Sequence, residues 1–314
     1  MIAVKPVSPG ADYEGSRALL PREDGFVERD GVRTFYEVYG TGATTVLLLP
    51  TWSIVHSRIW RNQIAYLARH FRVVVFDGRG NGRSDRPLEP AAYMPHEFAF
   101  DALAVLDATG TDRVVSVSLS AGTAWNALIA AHSPDRVIGA SFIGPTLYAV
   151  GDPFPDWAKV PYNEELESYD GFAGQNRYFI RDHYHEFSDV WARICLSEPH
   201  SSRGVEFSVG MSLETTPEVI EATLDASDMA DYENSAERLA QGCRELRPLV
   251  SQLPMPVQVI VGENEQVALP HWGRALADDT GGEFELIPRA GHAPGRKAVR
   301  FNLALRSFAE RVSG

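Results

Sequence analysis

The sequence predicts an α/β protein with a mostly parallel sheet, on three observations. Short β-branched runs alternate with longer helical stretches from residue 26 to residue 145, which is the pattern of a parallel sheet covered by helices. The strand signal returns after Pro254 and leads into a last helix. The residues between these two parts, 146–253, offer helical stretches and no convincing strand. We therefore expect one α/β domain that is interrupted by a helical insertion.

Eight strands are predicted, each a short run rich in β-branched and apolar residues. Their ranges are Phe26 to Arg29, Thr34 to Tyr39, Thr45 to Leu49, Arg72 to Phe76, Val114 to Ser118, Val137 to Ile143, Val257 to Val261 and Glu283 to Ile287. Asp30-Gly31 separates the first two, which predicts a hairpin at the start of the sheet.

Helical periodicity marks four segments in the α/β part and four in the insertion. The first group is Ile59 to Arg69, Pro95 to Thr109, Ala121 to His132 and Val299 to Val312; the second is Asn163 to Ser168, Tyr178 to Ile194, Pro217 to Ala226 and Ser235 to Leu246. The resulting organisation is an N-terminal extension (1–25), an α/β core (26–145 and 254–314) and a helical cap (146–253).

Composition excludes several classes of function. The formal net charge is −13, with 29 Lys and Arg against 42 Asp and Glu and no basic run, so neither nucleic acid nor an anionic membrane is an expected partner. Cys195 and Cys243 are isolated thiols, which favours a reducing compartment over disulfides or a zinc site. Apolar runs are too short to span a bilayer and no signal peptide is evident. We expect a cytoplasmic protein.

The first part of the insertion is rich in aromatic residues. Residues 148–191 hold 11 Phe, Trp and Tyr in 44 positions, whereas the whole chain has 10%. Two interpretations stay open: the rings fill the core of a small helical unit, or some of them line an apolar substrate cavity. On the second, Trp157 and Tyr178 are candidate substrate contacts, and so is His56, which lies in the aromatic loop after Trp52.

The strongest chemical signal is the run Val114 to Gly122, a buried strand that leads straight into a helix with Ser120 at the junction. A nucleophile at such a turn needs small residues two positions before and after it, and Ser118 and Gly122 satisfy this. Ser118 also has small neighbours at these positions, but it would shorten the strand by two residues. The helix start favours Ser120, and the amide of Ala121 is then an oxyanion donor.

A serine nucleophile needs a base and an acid that orients it. His292 lies in a Gly- and Pro-containing loop after the last predicted strand and is the candidate base. The acid is expected after the preceding strand, where Glu265 is preferred and Glu263 is the alternative; Asp152 in the loop after Ile143 is a third choice. His183 and His185 point to different faces of a helix, so no metal site is predicted.

Five segments in this order resemble the serine hydrolases of the α/β-hydrolase fold that carry a helical cap, of the esterase and carbon–carbon hydrolase type. The segments are Val46 to Trp52, Phe76 to Asp85, the elbow at Ser120 with Pro134 to Val137 beyond it, the strand that leads to Glu265, and Gly291-His292. The resemblance implies a second oxyanion donor in the amide of Trp52. The sequence departs from the usual family pattern at three positions. Pro50-Thr51 stands where family members usually have His-Gly, Ser118 stands where glycine is commoner, and Glu265 stands where aspartate is commoner.

The resemblance implies a triad of Ser120, His292 and Glu265 that hydrolyses a carboxylic ester or lactone through an acyl-enzyme. The aromatic residues of the insertion favour a small to medium, largely apolar substrate as the partner. An enzyme of this type needs no metal and no organic cofactor. Hydrolysis of a carbon–carbon bond in a diketone-like substrate uses the same triad and is the alternative. A cofactor-free lyase or oxygenase and a non-catalytic receptor of the same fold are weaker ones. The oligomeric state stays open, and a homodimer is compatible with the sequence.

Overall fold

A computed structural model describes residues 19–151, 153–226 and 234–314. Its centre is an eight-stranded sheet. The strands are β1 (Glu23–Arg29), β2 (Val32–Tyr39), β3 (Thr45–Leu48), β4 (Arg72–Phe76), β5 (Val114–Leu119), β6 (Val137–Ile143), β7 (Val257–Gly262) and β8 (Glu283–Ile287). Their order across the sheet is β1-β2-β4-β3-β5-β6-β7-β8. β2 runs antiparallel to β1 and β4, and all other pairs are parallel.

Helices cover both faces of the sheet because the central strands are apolar on both sides. The helices outside the β6–β7 connection are α1 (Arg61–Leu67), α2 (Pro95–Ala108), α3 (Gly122–His132), α9 (Pro270–Thr280) and α10 (Ala298–Val312). On β4, Val73 and Val75 pack against α1 and α10 on one face, whereas Val74 and Phe76 pack against α2 and α3 on the other.

The segment between β6 and β7, here called the helical insertion (residues 144–256), contains the remaining helices. They are α4 (Arg177–Asp182), α5 (Tyr184–Cys195), α6 (Ser202–Ser212), α7 (Pro217–Asp225) and α8 (Ser235–Val250). Among its described residues the only extended pairing is a single bridge between Pro161 and Asn234. No helix in the described part of the chain is long and apolar enough to cross a membrane.

All eight predicted strands are present, with ends that differ by up to three residues. The predicted helix over Asn163 to Ser168 is wrong, because this stretch is irregular. The side-chain amide of Asn176 donates hydrogen bonds to the backbone carbonyls of Pro161 and Glu164 and holds the stretch in this conformation. The predicted helix over Tyr178 to Ile194 is in fact two helices that are separated at His183, which has non-helical backbone angles. Helices α6 and α9 were not predicted.

Candidate active site

The turn from β5 into α3 places Ser120 at the carboxyl edge of the sheet. Its backbone has φ +56°, one of four positive values at non-glycine residues in the described chain. The left-handed conformation is unfavourable for a residue with a side chain, and here the flanking structure enforces it. The Ser120 amide donates to the carbonyl of Ile143 on β6, while α3 begins two residues later. Strain of this kind clusters at functional sites.

Close packing at this turn explains why small residues flank Ser120. A Cβ atom added to Gly122 would lie 2.8 Å from the carbonyl oxygen of Pro50 and 3.3 Å from the Cβ of Ser118. The start of α3 thus touches the loop that follows β3, so both loops meet above the same sheet edge.

Ser118, the alternative nucleophile, lies inside β5 and is fully buried. Its Oγ accepts a hydrogen bond from the side-chain amide of Asn126 at 3.2 Å. Ser120, by contrast, is partly exposed and lines a cavity. Of the two serines, only Ser120 is placed where a substrate could reach it.

His292 and Glu265 form a buried pair at the same edge. Nδ1 of His292 lies 2.8 Å from Oε2 of Glu265, and the two residues are 4% and 5% exposed. The other carboxylate oxygen of Glu265 accepts from the amides of Val267 and Ala268 at 2.7 and 3.1 Å. Amide donors stabilise the ionised carboxylate, and that carboxylate fixes the orientation of the imidazole ring.

The space for this pair depends on Gly144, which follows β6. Gly144 has φ +48°, and an added Cβ would lie 3.0 Å from Nδ1 of His292 and 3.1 Å from Oε2 of Glu265. A side chain at this position would press on the hydrogen bond between the two residues.

The other acidic candidates do not contact His292. Glu263 lies two residues from Glu265, but its Oε2 accepts from the backbone amide of Arg289 at 2.9 Å. Asp152 lies outside the described residues. Geometry therefore favours Glu265 as the partner of His292.

The two predicted oxyanion donors flank Ser120. Ala121 occupies the N-cap of α3, and Trp52 follows the loop that contacts Gly122. Neither backbone amide donates a hydrogen bond to another described group of the chain. The Trp52 indole donates to Oγ1 of Thr223 on α7 at 2.7 Å. This hydrogen bond anchors the loop to the helical insertion, although Pro50-Thr51 stands in place of the family's His-Gly.

A cavity lies between the sheet edge and the helical insertion, and Ser120 and His292 both line it. Its wall is mainly apolar, with Trp52, Ile54, Val55, Ile59, Leu119, Trp191, Leu196 and Ala293. Hydroxyls interrupt this surface at Thr51, Ser188, Ser208 and Ser212.

The three predicted substrate contacts are not among the residues that line this cavity. Trp157 lies one layer behind the wall, where its ring packs edge-to-face against Trp191 at 5.3 Å and its indole donates to the carbonyl of Gln266. Tyr178 lies in the first turn of α4. His56 is 90% buried, with Nδ1 accepting from the amide of Arg58 and Nε2 lying 3.4 Å from Glu214.

Cys195, at the end of α5, also lines the cavity. Burial raises the pKa of its thiol well above the ordinary value, and the charges of Glu265 and Glu198 add to this effect. A thiol in such surroundings is a poor nucleophile at neutral pH. Within the described ranges, no group of three or more His, Cys, Asp or Glu side chains is arranged to hold a metal ion.

Sequence reasoning missed Gly144, Trp191 and Glu198. The only available signals were the Gly-Pro pair after β6 and the aromatic density of α5. Glu198 has no distinctive sequence context, since Gly291 and Arg296, its partners in the base loop, lie more than 90 residues away.

Residues 44–295 match the family model of the alpha/beta hydrolase fold, and the chain belongs to this family. The sheet order, the elbow and the carboxyl-edge cavity described above are consistent with that membership.

Among curated sequences, the chain is 35% identical to epoxide hydrolase B of Mycobacterium tuberculosis over 134 residues, which are 40% of this chain and 35% of that protein. It is 30% identical to epoxide hydrolase 3 of Siraitia grosvenorii over 116 residues, 35% of each chain. The chain thus spans little more than a third of these relatives. It is 23% identical to 3-oxoadipate enol-lactonase 2 of Acinetobacter baylyi over 77% of this chain and 80% of that one.

Solved structures resemble the chain over nearly its whole length. The enol-lactonase from Burkholderia xenovorans LB400 superposes with a TM-score of 0.71 at 20% identity, covering 90% of this chain and 99% of that one. Est816, described as an N-acyl homoserine lactone degrading enzyme, gives a TM-score of 0.69 at 27% identity, with 90% and 100% coverage. The first likeness concerns the fold alone.

Proposed function

We propose that this protein is a serine hydrolase that cleaves a carboxylic ester or lactone of a small to medium, largely apolar substrate. The observation that carries the proposal is a single cavity lined by both Ser120 and His292, with Ser120 on a strained turn and His292 paired with Glu265. A serine, a histidine and a carboxylate in this chain order suit acyl transfer. Relatives named as lactonases support the substrate class.

The reaction proceeds in two steps. Nε2 of His292 takes the proton of the Ser120 hydroxyl as Oγ attacks the substrate carbonyl, and the amides of Trp52 and Ala121 hold the resulting oxyanion. The imidazolium then gives that proton to the departing alkoxide, which leaves an acyl-enzyme. Water, deprotonated by His292, attacks the acyl carbon, and Ser120 is released with the proton as the acid product departs.

The apolar wall argues for the substrate class. Burial of apolar groups contributes about 25 cal/mol per Å², so an acyl or alkyl chain gains affinity in this cavity. The four wall hydroxyls offer few hydrogen bonds by comparison, which disfavours a highly charged substrate.

The test compares Ser120→Ala with Ser118→Ala, which removes the hydroxyl of the buried serine two residues earlier, inside β5. We expect the native protein to react with a fluorophosphonate probe and to hydrolyse p-nitrophenyl esters or aliphatic lactones. Ser120→Ala should abolish labelling and lower kcat by more than about 1000-fold, whereas Ser118→Ala should retain both.

Two outcomes would count against the proposal. One is the absence of labelling of the native protein under conditions where a control esterase reacts. The other is turnover of a vinylogous 1,5-diketone with none of the esters or lactones, which would favour carbon–carbon bond hydrolysis.

A further inference from the structure

The last residue of α5 and the segment that follows it, residues 195–201, contact the two loops that carry Glu265 and His292. The carbonyl of Cys195 accepts a hydrogen bond from the backbone amide of His292 at 3.1 Å. Oγ of Ser197 donates to the carbonyl of Asn264, next to Glu265, at 3.2 Å. The helical insertion therefore contacts the acid and base loops through specific hydrogen bonds as well as apolar packing.

Glu198 is the charged group at the centre of this contact. Its side chain is 3% exposed, and its two carboxylate oxygens have different partners. Oε1 accepts from the backbone amide of Gly291 at 3.0 Å, and Oε2 accepts from Nη1 of Arg296 at 3.1 Å. Gly291 immediately precedes His292 and Arg296 follows it by four residues, so one carboxylate holds the loop on both sides of the histidine.

The network around Glu198 satisfies a charge that burial would otherwise make costly. A buried carboxylate is tolerated only when it is paired and hydrogen-bonded, and here its donors are the Gly291 amide, the Arg296 guanidinium and, at 3.5 Å, the Ser201 hydroxyl. Nη1 of Arg296 also donates to Oγ of Ser201 at 2.8 Å. The donors in turn depend on Glu198, because its loss leaves the Gly291 amide and the Arg296 guanidinium without their carboxylate acceptor.

We infer that Glu198 is a positioning residue of the hydrolytic site, which holds the His292 loop in register with Ser120 and Glu265. This inference rests on the proposed function. Proton transfer between Ser120 and His292 requires correct placement to within a fraction of an ångström. Glu198 supplies that placement from the helical insertion, so the insertion contributes to catalysis as well as to the cavity wall.

The experiment compares Glu198→Gln and Glu198→Asp with Glu221→Gln. Glutamine keeps the size of Glu198 but removes its charge and offers one acceptor oxygen in place of two; aspartate keeps the charge. Glu221 is the matched control, since it pairs with Arg181 inside the helical insertion and does not contact the His292 loop. Rates are divided by the active-site concentration from burst titration, so that partial unfolding does not count as a loss of rate.

We expect Glu198→Gln to lower kcat about tenfold or more with KM within about twofold of the native value. Glu198→Asp should recover part of the loss, and Glu221→Gln should match the native enzyme. Native kcat in Glu198→Gln, a loss that falls entirely on KM, or an equal loss in Glu221→Gln would overturn the inference.

Amide hydrogen exchange gives a second readout that does not depend on turnover. Peptides that cover residues 288–297 should exchange faster in Glu198→Gln than in Glu221→Gln or the native protein; equal exchange would overturn the positioning role. A native protein without Ser120-dependent turnover would instead refute the proposed function, while the exchange result still decides whether Glu198 holds the loop.

Discussion

Ser120 and Gly144 show how two backbone conformations prepare one site. Ser120 adopts a left-handed conformation that its side chain disfavours, whereas Gly144 adopts one that glycine allows freely. The amide of Ser120 and the amide of Gly144 are bonded to consecutive strands of the sheet, at Ile143 and Ile260. The sheet thus fixes Ser120 and the space for the Glu265–His292 pair together.

Replacement of Gly144 by alanine should weaken the hydrogen bond between His292 and Glu265. The new Cβ would lie 3.0 Å from Nδ1 of His292 and 3.1 Å from Oε2 of Glu265, so both must move by a few tenths of an ångström. We expect kcat/KM for an ester substrate to fall about tenfold, measured by steady-state kinetics.

Gly110→Ala is the matched control for this change. Gly110 has φ +58° with open space around it, so alanine there carries a similar backbone cost of about 1–2 kcal/mol without a clash at the site. Both variants should lose similar stability in a thermal melt. An equal loss of kcat/KM in Gly110→Ala would mean that backbone strain, and not contact with the pair, explains the result.

Ser120, Glu265 and His292 could be selected as candidates from the sequence because each follows a strand, and carboxyl ends of parallel strands meet at one edge. The contact between His292 and Glu265 then follows from sheet order. Glu198 could not be found this way, because its position depends on how the segment after α5 packs against a loop 93 residues further along the chain.

At the scale of elements, strands were predicted better than the helices of the insertion. Continuous apolar runs predict buried strands, as in β4 and β5. Helix α6, by contrast, contains two glycines and three serines, so its propensity is low and tertiary packing must stabilise it. The six residues from Asn163 favour a helix by composition but are too few to form one alone.

Helices α8 and α9 are joined by an ion pair that should make stability depend on pH. Arg247 on α8 lies 2.7 Å from Oδ2 of Asp279 on α9, and Tyr148 donates to the same carboxylate at 2.6 Å. The hydrogen bond from Arg247 lowers the pKa of Asp279, and the hydrogen bond from Tyr148 lowers it further, against the opposing effect of burial. Because the pKa of Asp279 is lower in the folded state, its interactions contribute to the free energy of unfolding above the unfolded pKa of about 3.9. This stabilisation is lost as the pH falls through the folded pKa.

Asp279→Asn should therefore reduce the free energy of unfolding by about 1 kcal/mol at pH 7, a figure kept small because Arg247 is half exposed. Urea unfolding at several pH values should show a constant difference from the native protein between pH 5.5 and 7, which shrinks below pH 4. Asp189→Asn removes the exposed Arg193 pair within α5 and should cost less, about 0.3–0.5 kcal/mol. A pH-independent difference for Asp279→Asn would contradict the electrostatic explanation.

At the scale of the whole molecule, the helical insertion shares its apolar core with the sheet domain. One cluster of buried side chains joins Ile54 and Trp272 from the sheet domain to Trp157 and Ile180 from the insertion. A second places Leu246 of α8 among the residues that cover the sheet. Sequence periodicity predicts two parts but could not reveal this sharing, which depends on long-range packing. Neither part buries its apolar surface alone, so the two should unfold as one unit.

Ile180→Ala tests this shared stability. Ile180 lies on α4 and is fully buried, so its truncation should cost about 2–5 kcal/mol. Far-UV circular dichroism follows mainly the helices and the sheet, whereas fluorescence follows tryptophans that include Trp157 and Trp191 in the insertion and Trp60 and Trp125 outside it. In one cooperative transition, both signals should move to the same lower urea midpoint in the variant. A fluorescence transition that shifts while part of the dichroism signal keeps the native midpoint would show instead that the insertion unfolds on its own.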